Sequence, residues 1–212
     1  MKKHELEGVY DAAFSLGESC LAAAQLTRLN LRPFSGVIDW MRSRSLKDVN
    51  QLLQCRFAGF MDKSHLEYAG FIDPHHLSVR DKVYNIISVH NFPKERNTMD
   101  HLVDYDLFKQ IMDRRIQRFL TVASTYRRIL FVRTGGHWED VEELQTVLSN
   151  LIVHDFSILL INHEHVDHMI EVESPLEKVY AVSLPLIENT WSGNDPYWDQ
   201  LFSGISLNTQ NK

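Results

Sequence analysis

Apolar residues fall in short runs separated by amphipathic stretches, and the spacing within each run sets what it predicts. Tyr10 to Leu16 is largely apolar and stops at Gly17, the pattern of a buried strand followed by a turn. Ser19 is placed to cap a helix through Cys20-Leu-Ala-Ala-Ala-Gln-Leu-Thr-Arg-Leu, strong helix formers throughout. Arg32 to Gly36 reads as a loop leading into Val37-Ile38-Asp39-Trp40. Ser45 then caps a second helix with Leu46, Val49, Leu52 and Leu53 on one face. From Phe57 to Asp81 the pattern is irregular, with Pro74, His75 and His76 in a loop. Lys82 to Phe92 predicts a strand, paired as a hairpin with Leu77 to Arg80 and ending at His90-Asn91-Phe92-Pro93.

Leu107, Phe108, Ile111, Met112, Phe119 and Leu120 mark one face of a long helix. Arg128 to Arg133 predicts a buried strand stopped by Thr134-Gly135-Gly136. A helix from Glu139 to Asn150 and strands Phe156 to Asn162 and Lys178 to Leu184 continue a β-α-β-α-β alternation. Such alternation favours a mainly parallel sheet with helices on both faces. Pro185 onward carries Trp191, Tyr197 and Trp198 without strong periodicity and reads as a tail. The expected fold is one α/β domain over residues 1–212.

Composition narrows the function classes. A chain of 212 residues with 44% hydrophobic and 24% charged residues, 9 Gly and 6 Pro can build its own core, which excludes collagen, coiled-coil rods and disulfide scaffolds. No apolar stretch has the length of a membrane helix, and Met1 to Glu7 lacks a signal-peptide core, so a cytoplasmic protein without a membrane partner is expected. A formal net charge of −6 supplies no basic field to gather phosphates, and no nucleic-acid partner is expected. Arg114, Arg115 and Arg118 read as the solvated face of the long helix. Cys20 and Cys55 lack CxxC spacing and are expected as free thiols. Oligomeric state is not legible.

The candidate chemistry gathers where the first strand passes to the first helix, since ligands of α/β folds bind beyond the carboxyl ends of the strands. Cys20 would stand on the first helical turn, where the positive helix end favours thiolate and free N–H groups could hold an oxyanion. A small apolar cysteine packed beside Ala22 to Ala24 is the competing reading. A thiol nucleophile needs a base, and His90 at a strand end is the best placed of 11 histidines, with Asp39 a candidate to orient it. Gly17, Ser19 and Ser35 would line the same crevice. Arg133, ending a buried strand, would bind a carboxylate or phosphate there, unless it forms a buried salt bridge. His163, His165 and His168 invite a zinc reading without a recognisable ligand spacing, and His75-His76 and His137 carry no stronger signal.

Ser15-Leu-Gly-Glu-Ser-Cys20 followed by Leu31-Arg32-Pro-Phe-Ser35-Gly-Val-Ile-Asp39-Trp40 resembles the opening signature of DUF1796, a bacterial family labelled papain-like cysteine peptidases. His90-Asn91-Phe92, Arg114-Arg115 to Arg118-Phe119, Ile129 to Arg133 and Trp198 to Phe202 are further points of similarity. The resemblance implies a cysteine–histidine hydrolase with Cys20 as nucleophile and His90 as base. No Gln-rich segment precedes Cys20 and no Cys-Trp pair follows it, unlike papain. The LGESC turn is also similar to the nucleophile turn of SGNH-type esterases, whose usual Asp-x-x-His is absent here. A three-layer sheet of the SGNH or flavodoxin kind therefore fits better than a two-lobed papain architecture.

The expected function is hydrolysis or acyl transfer on a peptide, ester or thioester bond, without metal or cofactor. The substrate would be a small molecule, a peptide or a glycan-linked group. The alternatives are a non-catalytic nucleotide- or glycan-binding domain and a metal-dependent hydrolase.

Overall fold

The computed structural model describes residues 1–98 and 100–208; Met99 and the last four positions of the expected 1–212 domain lie outside them. Its centre is a five-stranded sheet in the order β2-β7-β8-β10-β9, formed by Ala12–Ser15, Arg128–Thr134, Asp155–Glu164, Val179–Pro185 and Ile170–Val172. The first four strands run parallel, and β9 closes one edge antiparallel to β10.

Period-two alternation makes this a three-layer structure. From β7, Ile129 and Phe131 face one side while Leu130 and Val132 face the other. Phe156, Ile158 and Leu160 against Leu159 and Ile161 in β8, and Val179 and Ala181 against Tyr180, Val182 and Leu184 in β10, repeat the division. The first side is covered by α3 (Leu46–Gln54), α4 (Tyr105–Thr125) and α5 (Trp138–Leu151). The second is covered by α2 (Leu21–Arg28), α6 (Asp195–Phe202) and Leu6 of the short α1 (Lys3–Leu6). Ser45 caps α3 as its sequence requires, its hydroxyl accepting the Asp48 N–H, and Leu46, Val49, Leu52 and Leu53 are all buried.

Four departures from the sequence expectations have local causes. The run from Tyr10 to Leu16 breaks at Asp11, because its carboxylate accepts the Arg127 and Arg128 N–H groups and turns the chain from β1 (Gly8–Tyr10) into β2. The expected strand Lys82 to Phe92 is only β6 (Ile86–Ser88). Residues 82–85 form the turn from β5 (Val79–Asp81), where Asp81 accepts from the Val83 and Tyr84 N–H groups and Asn85 takes a φ of 52°.

That hairpin joins β3 (Met41–Arg42) and β4 (Leu66–Tyr68) in a separate antiparallel sheet, order β3-β6-β5-β4, packed on the α3–α4 side. The chain between β8 and β10, where the sequence predicts no regular element, carries β9. The tail contains α6, and β11 (Ile205–Leu207), which pairs parallel with β1. Trp198 is fully buried. No helix among the described residues is long and apolar enough to cross a membrane.

Candidate functional site

The turn after β2 is built by close backbone approach. Gly17 has a φ of 85°, and its carbonyl accepts both the backbone N–H and the hydroxyl of Thr134, at 3.1 and 3.0 Å. A Cβ on Gly17 would stand 1.9 Å from Ser43 Oγ, so no larger residue fits. The Glu18 carbonyl accepts the Ser43 N–H at 2.9 Å, tying the turn to the residue after β3. The helix starts one residue later than the sequence suggests: Cys20 is the N-cap, and Ser19 Oγ accepts the Leu21 N–H at 3.3 Å. Cys20 is therefore poised before the first turn of α2, with 6% of its surface exposed. Burial raises its pKa; Arg42 works against this and Asp39 with it. Burial is the largest of these influences and favours the protonated thiol.

Cys20 opens onto a cavity of about 410 Å³. Ser19, Cys20 and Leu21 line it from the turn between β2 and α2, and Arg42 from β3; Asp73, Pro74, Val89 and His90 line it from the second sheet and its loop; Thr190 and Trp191 come from the segment before α6. His90 is 45% exposed, and its Nδ1 lies 3.1 Å from Asp73 Oδ2. The other carboxylate oxygen of Asp73 lies 3.0 Å from His76 Nδ1 and accepts the His75 N–H at 2.7 Å. These hydrogen bonds, that with His76 foremost, hold the Asp73 carboxyl down at about 2. The contact with Asp73 engages Nδ1 of His90 and leaves Nε2 for other partners. Cys20 and His90 share this cavity without a hydrogen bond between them.

Three expected site residues have other duties. Asp39, 1% exposed, accepts from the Gly36 N–H and from Arg32 Nε, each at 2.6 Å, and does not orient His90. Ser35 Oγ accepts from Arg32 Nη2 at 2.8 Å, and the Arg32 guanidinium lies 5.1 Å from the Trp40 ring centre. The Arg32-to-Trp40 segment is thus one turn folded around an arginine. Gly36 belongs to it, since a Cβ there would come within 2.6 Å of Asp39. Arg133 is fully buried and its donors are taken up by the protein itself: Nε donates to Gly135 O, Nη1 to Leu16 O and Ser43 Oγ, and Nη2 to Arg44 O. Burial lowers its pKa to about 10. It clamps the β2 and β7 ends together through carbonyl acceptors, a use of a buried arginine that neither expected role covered.

A larger cavity of about 740 Å³ lies beyond the β7 and β8 ends, lined among others by Glu18, Arg44, Thr134, Gly135, His137, Asn162 and His163. Ser19, Leu21 and Thr190 line both cavities, so the two adjoin. His163 lies at the end of β8, while His165 and His168 lie beyond it, and the three do not converge as metal ligands. Among the described residues the one convergent metal-capable group is Asp73, His76 and His90. Sequence reasoning missed Arg42, Asp73 and Thr190. Asp73 stood in view as the residue before Pro74-His75-His76, but only tertiary pairing brings that loop to the β6 end.

The comparisons with known proteins agree with the opening motif. "Uncharacterized protein R408" of Acanthamoeba polyphaga mimivirus is 24% identical over 212 residues, spanning 88% of this chain and 95% of that protein. No solved structure matches the chain. Residues 11–166, from the start of β2 past the end of β8, match the family described as "Putative papain-like cysteine peptidase (DUF1796)", and the chain belongs to that family.

Proposed function

We propose that the protein cleaves or transfers an acyl group through Cys20, with His90 as base and Asp73 orienting it. The observation that carries this reading is the single cavity onto which Cys20, His90 and the Asp73 carboxylate all open, with Asp73 engaging the imidazole nitrogen. Asp73 accepts from Nδ1 and so keeps the lone pair of Nε2 available. His90 Nε2 takes the Sγ proton as sulfur attacks the acyl carbon. The tetrahedral intermediate then collapses, its leaving group takes that proton from the imidazolium, and water attacks the thioester with His90 again as base. Because burial favours the protonated thiol, the pair works by proton transfer during attack, not as a standing ion pair.

Arg42 is the positive group in the cavity and favours a substrate bearing negative charge near the reacting bond. The adjoining 740 Å³ cavity has room for the remainder of a small-molecule, peptide or glycan-linked substrate. The test is a panel of chromogenic esters, thioesters and peptides assayed with the wild type, Cys20→Ser and His90→Gln. Both variants should lose about 10²–10⁴-fold in kcat/KM while keeping the wild-type melting temperature. Full activity in Cys20→Ser would refute the reading.

A second reading, a non-catalytic binding domain, is favoured by the raised thiol pKa and the absent Cys20–His90 hydrogen bond. It predicts no turnover on any of the panel and a ligand held in the larger cavity.

A further inference from the structure

We propose that Asp73, His76 and His90 form a binding site for a divalent transition-metal ion of the zinc class, and that its occupancy switches off the base beside Cys20. One ligand atom from each residue lies within 4.8 Å of the others. The carboxylate already stands 3.0 Å from one Nδ1 and 3.1 Å from the other, and the two rings are perpendicular with centres 5.9 Å apart. Tetrahedral zinc with bonds of about 2.0–2.2 Å separates neighbouring ligand atoms by about 3.3–3.5 Å, so small side-chain movements complete the set. Two imidazoles and a carboxylate suit zinc, cobalt and copper better than calcium or magnesium. Three protein ligands leave a position open to the cavity that Cys20 also lines.

The consequence for His90 follows from its two nitrogens. An ion on Nδ1 occupies the lone pair there and leaves the ring proton on Nε2. That nitrogen then only donates, and it cannot accept the Sγ proton. This second step rests on the acyl-transfer reading above; the binding itself does not.

The experiment titrates metal-free protein with Co²⁺ and Zn²⁺, following the visible absorption of tetrahedral Co²⁺ and the heat of Zn²⁺ binding. Wild type, His76→Gln and Asp73→Asn are compared, with thermal unfolding of each without metal as the folding control. One ion per chain is expected, weakened at least about tenfold in either variant. No saturable binding, or equal binding in wild type and His76→Gln, would overturn the site.

Turnover is then compared with and without Zn²⁺, each protein serving as its own reference. Suppression in wild type that is relieved in His76→Gln supports the switch. Suppression that persists in His76→Gln places the inhibitory ion elsewhere and overturns it. If Cys20→Ser loses no activity, the acyl-transfer reading and the switch fall together, while the binding data, taken without substrate, still decide the metal site.

Discussion

Replacing Asp39 by Asn separates two ways in which a buried carboxylate near a thiol could act. If Asp39 belonged to the catalytic machinery, its loss would make Cys20 less reactive. The structure requires the opposite sign, because the Asp39 charge raises the Cys20 pKa. Removing that charge lets the thiol pKa fall and raises the thiolate fraction. The accompanying fall in nucleophilicity removes part of this, leaving alkylation modestly faster near pH 7.5.

The same substitution removes the negative charge opposite Arg32, whose side chain is 12% exposed, while one amide oxygen can still accept from both Arg32 Nε and the Gly36 N–H, as Asp39 Oδ2 does. Breaking a buried ion pair costs about 3–5 kcal/mol; the retained acceptor and the partial exposure of Arg32 reduce this to about 2–3 kcal/mol. For a domain of this size the melting temperature should fall by about 5–10 °C. The assays are iodoacetamide labelling of Cys20 followed by peptide mass spectrometry, and calorimetric unfolding. Slower labelling with an unchanged melting temperature would refute this account and return Asp39 to the chemistry.

Three further outcomes follow from the same geometry. Gly17→Ala should cost about 3 kcal/mol in urea unfolding, from positive φ and from the collision with Ser43; adding Ser43→Ala should recover only the collision's share, and full recovery would show that backbone conformation is not limiting. Arg133→Met leaves the carbonyls of Leu16, Gly135 and Arg44 without their donor and should destabilise by about 2–4 kcal/mol; a stable variant with impaired turnover would instead make Arg133 a substrate ligand. The Cys20 thiol is raised by burial, so its labelling rate should still be climbing at pH values where a free thiol has levelled off. Stability held by the neutral thiol is complete below the unfolded-state pKa of about 8.5 and is lost as pH rises toward the folded value; a labelling midpoint below that of glutathione would contradict the burial argument.

What was legible in the sequence was what local periodicity controls. The alternating faces of β7, β8 and β10 are written in their runs of apolar residues, and Ser45 announces α3 by side-chain chemistry that acts within one turn. That Cys20 and His90 line one cavity agrees with placing each just beyond a strand, although the strand before His90 belongs to the second sheet and not to the central one. Asp73 was not foreseeable, since its role depends on a loop meeting a strand end 17 residues away. Arg133 was misread because a strand-end arginine has the same local sequence whether it faces ligand or buried carbonyls. The helix α6 was hidden by its eight-residue length, although Trp198, Leu201, Phe202 and Ile205 carry helical spacing that continues into β11.

The chain beyond residue 166 completes what the family-matching segment begins. Seven residues of β10 pair with β8, and Trp198, Leu201 and Phe202 of α6 cover the sheet face opposite α3, α4 and α5. During synthesis, the strands from β2 to β8 emerge first, with one face already able to close over them and the other covered only by α2 and Leu6. Only when Ile205 to Leu207 can reach Gly8 to Tyr10 do the earliest and latest strands meet. Before β10 and α6 follow, the newborn chain displays an unpaired β8 edge and a partly covered aliphatic surface, features that invite chaperone holding or self-association. The Thr190–Trp191 wall of the thiol cavity arrives in that same late stretch, so the cavity cannot be complete on a chain that has not finished folding.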